Sequence, residues 1–148
     1  MYGRLYQLQP TFVWIQDILL TRSYVDGTRY YPTAEWFLLY VNRLVQTSKD
    51  PIVGEKLKGP LRECIQERIG TGGDALCLAM RVIVCCDLGV PNPLEVEKLL
   101  SLQCADGGWD PCYLYRYPGV NKELGNRGVS TAFAIKALAA VQGRKLRS

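Results

Sequence analysis

The segment Ala75–Leu88 reads ALCLAMRVIVCCDL, and as a helix it would carry apolar residues on nearly every side. A helix without a polar stripe has to be covered all round. This segment is therefore placed inside the chain, opened by Asp74, with other helices packed on it. Several flanking segments have the spacing for that job. TFVWIQDILL, from Thr11 after Pro10, puts Phe12, Ile15, Ile18 and Leu19 on one face. Thr33 is expected to cap TAEWFLLYVNRLV, whose buried set over Glu35 to Val45 is predicted as Trp36, Phe37, Leu39, Tyr40 and Leu44. PLRECIQERIG forms an amphipathic helix ended by Gly70, and LEVEKLLSLQ resumes after the break at Pro91, Asn92 and Pro93. STAFAIKALAAV is read as a last helix, capped by Ser130 and stopped by Gly143. Between them lie a loop with Asp26-Gly27 as its turn and Pro32 at its exit, a hinge at KDPIVGEK, and a long loop running to Gly128. YLYRY within that loop is suited to a short strand. Trp14, Trp36 and Phe37 fall at helical spacing and are expected in the core. The fold class is all-α, with about six helices in one unit over residues 1–148.

Composition removes several chemistries. The 148 residues include no histidine, which excludes His-dependent nucleophilic triads, imidazole acid–base catalysis and His-containing zinc sites. None of the six cysteines forms a CxxC pair, so the usual zinc spacings are missing and no metal or cofactor is expected. Cys77, Cys85 and Cys86 lie in the apolar helix, and free thiols are the expected state; a bridge between Cys104 and Cys112 stays geometrically open. The net charge is +4, part of it in Arg144, Lys145 and Arg147, without an interleaved basic and aromatic groove. A nucleic-acid partner is not expected. MYGRLYQLQP lacks the apolar core of a signal peptide, and no apolar run reaches spanning length. The expectation is an intracellular, cytoplasmic chain with no membrane span.

An internal echo runs through the sequence. ILLTRSYVDG, ending at Gly27, matches KLLSLQCADG, ending at Gly107, in its Leu-Leu pair and Asp-Gly close. GDALCLAMRVI matches RGVSTAFAIKAL in a small-residue start and apolar continuation. The unit predicted is helix, Asp-Gly loop, helix, repeated, because stacked helical pairs cannot bury their faces alone.

The most informative stretch is LLSLQCADGGWDP, Leu99 to Pro111. Gln103 can bond orphan groups at a helix end, Asp106 can cap, and Gly107 and Gly108 permit positive φ. Trp109 can then lie against the Gln103 amide and pin the loop to a helix pair. Gln-x-x-Asp-Gly-Gly-Trp after an apolar helix resembles the glutamine–tryptophan motif of the terpenoid cyclases, squalene cyclases among them. NRGVSTAFAIKAL resembles the helix that follows the motif in that superfamily. A looser resemblance through RLYQLQP, YVDGTRYY, GDALCLAMRVIVC and YRYPGV points to fungal toroid proteins, some joined to haloacid-dehalogenase-like phosphatase domains.

The resemblance implies part of an α/α toroid of paired helices, and it leaves the catalytic residues of that superfamily without counterparts here. The Asp-rich acid motif of class II cyclases, the Asp-rich magnesium motif of class I enzymes and the zinc set of the protein prenyltransferases are each missing from the sequence. No catalytic residue is assigned. Tyr113, Tyr115, Arg116, Tyr117 and Arg127 are the candidate lining of a ligand cavity, by cation–π contact and anion pairing. The other reading is a surface loop with solvated arginines, and Tyr30 and Tyr31 beside Arg29 stand in the same position. Three functions follow: a cyclase-like segment inactive on its own, a helical module holding an apolar isoprenoid-like ligand or a protein, or an accessory domain of a phosphatase-containing protein. The expected partner is a missing toroid half or another protein, because the ends of such an array are apolar.

Overall fold

The computed structural model describes residues 9–117, 119 and 122–145; the RLYQLQP resemblance (residues 4–10) falls mostly, and Arg147 wholly, outside them. Six helices follow in order, α1 (Gln9–Thr21), α2 (Ala34–Thr47), α3 (Pro51–Arg68), α4 (Ala75–Leu88), α5 (Pro93–Ser101) and α6 (Arg127–Lys145). A two-stranded antiparallel hairpin, β1 (Tyr113–Tyr117) and β2 (Lys122–Gly125), precedes α6. The chain is all-α apart from this hairpin, and YLYRY is its first strand.

α4 is the centre of the molecule. Asp74 caps it by accepting from the Cys77 amide at 2.9 Å, and Gly89 ends it in the left-handed conformation at φ 73°. Every residue from Ala75 to Cys85 is buried. α2, α3, α5 and α6 all pack on α4, and α3 also packs on α1 and α2. α3 presents Val53, Leu57, Leu61, Cys64 and Ile65 to this core, a stripe at spacings of four and three.

The segment read as a hinge is the start of α3. Asp50 caps it through the Ile52 amide at 3.0 Å, with Pro51 in the first turn, where its missing N–H costs nothing. Gly54, Gly59 and Pro60 hide the helix from a propensity reading, but the apolar stripe overrides them. α2 is rotated from its expected face. Glu35, Leu38 and Asn42 are buried, Trp36, Phe37 and Leu44 are half-buried, and Tyr40 is 51% exposed. Trp14 is likewise outside the core, 61% exposed on α1. α6 begins before Ser130, with Asn126 accepting from the Val129 amide at 3.1 Å, and it runs through Gly143. Ser130 has a different task, described below.

α1 and α5 end alike, as the sequence echo suggests. Leu19 and Leu99 are both fully buried, and the Gly27 and Gly107 amides each donate at 2.9 Å to the carbonyl three residues back, Tyr24 and Cys104. Both glycines take positive φ, 69° and 86°. At Gly27 a Cβ would stand 2.5 Å from the Tyr31 carbonyl oxygen, so no other residue fits there. A carbonyl near each helix end accepts from a side chain. Leu19 is served by Arg22 and the Cys64 thiol, Leu99 by the indole of Trp109.

Candidate functional site

Three constellations lie around α4 and α6. The first is the loop clasp of Gln103, Asp106, Gly107, Gly108 and Trp109. Trp109 is 1% exposed, and its Nε1 donates to the Leu99 carbonyl at 2.8 Å. Its backbone amide donates to Thr131 Oγ1 at 3.1 Å, while the Cys112 amide donates to Ser130 Oγ at 3.0 Å. The loop is thereby fastened to α5 at one end and to α6 at the other. Gln103 works within the loop rather than on the helix end. It is exposed, donates from Nε2 to the Gly107 carbonyl at 2.8 Å, and faces Trp109 across an antiparallel bridge. Asp106 accepts from the Gly108 amide at 3.1 Å and from Arg127 Nη2 at 2.7 Å. Hydrogen bonding to Arg127, and then to the Gly108 amide, holds the Asp106 carboxyl below its ordinary range. Arg127, a candidate cavity residue, is paired with Asp106 at the surface.

The second constellation is aromatic. The Arg116 amide donates to the Tyr30 carbonyl at 2.9 Å and sews β1 to the loop after α1. Tyr115 thereby stacks on Tyr30 at 5.9 Å between ring centroids and meets Tyr31 edge-on at 6.0 Å. Tyr31 leans on Trp36 at 5.6 Å, and Trp36 touches Tyr40 at 6.0 Å and Phe133 at 5.9 Å. Six rings from a loop, α2, β1 and α6 so form one continuous surface beside the first turn of α2. Of the candidate lining residues, Tyr115 is part of it, whereas Tyr113 and Tyr117 are more than half exposed. Trp36, which joins it to Phe133, had the spacing of an ordinary core residue.

The third constellation is ionic, buried, and was not anticipated. Arg81, 1% exposed in the middle of α4, donates from Nε to both carboxylate oxygens of Glu95 at 2.8 and 3.0 Å, and from Nη1 to Glu35 at 2.7 Å. Glu35 also accepts from Arg68 at 2.8 Å; Glu95 accepts from the Gly70 amide at 3.0 Å and from Asn92 at 2.8 Å. Burial opposes ionisation of Glu35, but bonding to Arg68 and Arg81 outweighs it and keeps the carboxyl below the usual range. Burial likewise opposes the charge on Arg81, and Glu95 and Glu35 outweigh it. The signal in the sequence is the arginine set within the apolar run 75–86, since a charge there must be paired.

The six cysteines are free thiols; Cys104 and Cys112 each bond to Asp110, through its carboxylate and its carbonyl respectively. Burial pushes the Cys77 and Cys85 thiols up to about 12, which suits packing and not nucleophilic work. Among the described residues no three Cys, Asp or Glu side chains gather as metal ligands, and no helix is long and apolar enough to cross a membrane.

No protein-family model matches the chain, and no solved structure matches it. Among curated proteins it is 41% identical over 137 residues to the drimenol cyclase drtB of Aspergillus calidoustus. The aligned region takes in 93% of this chain but 26% of that protein, so the chain spans about a quarter of the length of the relative it matches. Along nearly its whole length, then, the chain is similar to a terpenoid cyclase.

Proposed function

We propose that the chain is three helical hairpins of an α/α toroid in a drimenol-cyclase-like enzyme, and that its aromatic surface forms part of the wall around an isoprenoid substrate. The continuous cluster of Tyr30, Tyr31, Trp36, Tyr40, Phe133 and Tyr115 carries this reading, because aromatic faces stabilise positive charge without reacting with it. The packing of both α2 and α6 on α4 is consistent with it, since the wall takes rings from α2 and α6. Apolar side chains exposed on α1 (Val13, Trp14, Leu20), on α5 (Leu94, Leu100) and at Ile135 of α6 fit an array continued by further helices or a partner.

The carboxylates of the loop clasp, the ionic set and the α4 cap are engaged in structure. Asp74 caps α4, Asp106 holds its loop and Arg127, and Glu35 and Glu95 neutralise Arg81. In this proposal a protonating acid comes from the other three quarters of a cyclase. Purified chain is therefore expected to bind a prenyl alcohol, seen as quenching of tryptophan emission that vanishes in Trp36→Phe and persists in Trp14→Phe. It is expected to form no terpenoid product from a prenyl diphosphate or squalene. Product that disappears on a point substitution in this chain, or quenching indifferent to Trp36, would overturn the proposal.

A further inference from the structure

A cavity of about 560 Å³ lies between α4, α5 and the end of α6, lined by Val82, Val90, Val96, Leu100 and Val141. That is within the range of small-molecule sites, roughly 300–1,000 Å³, which pair apolar walls with a few polar groups. It shares no residue with the aromatic surface. Phe133 of that surface and Arg144 of this cavity are eleven residues apart, about 16 Å along α6. The polar groups of the lining are accounted for, with one exception. Asn92 donates to the Glu95 carboxylate at 2.8 Å and accepts from the Glu95 amide at 3.3 Å. The Cys85 thiol accepts from Asn92 at 3.7 Å, and Glu97 is exposed on α5. The exception is Arg144. Its guanidinium is within hydrogen-bonding reach of the Cys86 thiol, but among the described residues no carboxylate pairs with it. The C-terminus of α4 does not need it, since Arg62 donates to the Leu88 carbonyl at 2.6 Å and the Val90 amide to the Cys85 carbonyl at 2.8 Å.

We propose that this cavity binds a small amphiphile with one negative charge, an aliphatic carboxylate, its tail among the valines and its head paired with Arg144. The site stands apart from the aromatic wall and does not depend on it. Charge decides the head group. A guanidinium meets a carboxylate through two parallel hydrogen bonds, and a thiol is no substitute for that partner. A single unpaired cation, with the acid Glu97 on the same lining, suits one negative charge and leaves a multiply charged head short of partners. The walls decide the tail. With Asn92 and Cys85 engaged inside the protein, the interior offers valine and leucine surface to a chain that carries no polar atoms.

Ligand-observed NMR titrations of the full chain with decanoate, decanol and acetate test this, and alkylation of Cys86 by iodoacetamide locates the ligand. Cys86 lines the cavity and is half-buried, so an occupant shields it. Each alkylation rate is read against the same variant without ligand, because Arg144 also touches the thiol. Decanoate is expected to bind and to slow alkylation of Cys86, decanol to bind more weakly, and acetate not to bind at the same concentrations. Arg144→Gln, at an exposed position, is expected to keep the parent's melting temperature. It should weaken decanoate about five-fold, the upper worth of an exposed ion pair, and change decanol less than about two-fold. Equal weakening of decanoate and decanol would mean that Arg144 meets no head group. Cys86 alkylated at full rate under saturating decanoate would put the ligand elsewhere, and loss of binding in Trp36→Phe would put it on the aromatic wall. Each of these, like a failure of decanoate to bind at all, overturns the site and leaves the wall reading standing.

Discussion

Arg81→Ala is expected to destabilise the protein by about 3–5 kcal/mol, the usual cost of removing one member of a buried ion pair. Against a total stability on the order of 5–15 kcal/mol, that approaches unfolding. Two glutamates, each at most 2% exposed, would be left in the core, Glu95 with only Asn92 and the Gly70 amide as partners. The Gly72 carbonyl, bonded to the same guanidinium, would be orphaned as well. The loss comes from stranded charge and not from the worth of the pair. Replacing the set together, Glu35→Gln, Arg81→Met and Glu95→Gln, should recover much of it. Urea melts across pH supply a second signature. The Glu35 carboxyl is depressed, so its contribution in the parent is complete above about pH 4.5 and is lost as pH falls through the folded value. In Arg81→Ala, acid neutralises the stranded carboxylate and relieves it. The gap between parent and variant is therefore expected to narrow below about pH 5.

Trp109→Ala is expected to cost about 3–5 kcal/mol, the range for truncating a fully buried aromatic. Two losses coincide, the packing of a ring 1% exposed and the bond to the Leu99 carbonyl, while the backbone bond to Thr131 is kept. Trp109→Phe separates them, since it keeps most of the packing and removes one bond to the Leu99 carbonyl, which still accepts from the Leu102 amide, for about 1 kcal/mol. Gln103→Ala should cost under about 1 kcal/mol, because its one bond is exposed. Thermal melts rank these variants. If Trp109→Ala melted with the parent, the loop would not be fastening α5 to α6.

What the sequence made legible depended on whether a signal was local. α4 could be read from composition alone, with its cap at Asp74, because a helix apolar all round has one solution. The clasp was legible because seven consecutive residues carry it, although the partner of the helix end turned out to be the Trp109 indole and not Gln103. α3 was half-hidden by Gly54, Gly59 and Pro60, whose propensities are overridden by a stripe packed on α4. The ionic set was hidden for another reason. Glu35, Arg68, Arg81 and Glu95 come from α2, α3, α4 and α5, and only the fold shows that they meet. The same holds for the aromatic surface. Tyr30, Tyr31 and Tyr115 looked like separate loop residues until Trp36, read as plain core, and Phe133 of α6 joined them.

The central claim, that this chain supplies a working wall of a terpenoid cyclase, is tested most directly by grafting. The region of the Aspergillus calidoustus drimenol cyclase that aligns with this chain would be replaced by it, and terpenoid product measured by gas chromatography. The account predicts that the graft forms product and that Trp36→Ala within it cuts the yield at least ten-fold while the melting temperature holds. A graft as stable as the parent enzyme that makes no terpenoid would contradict it.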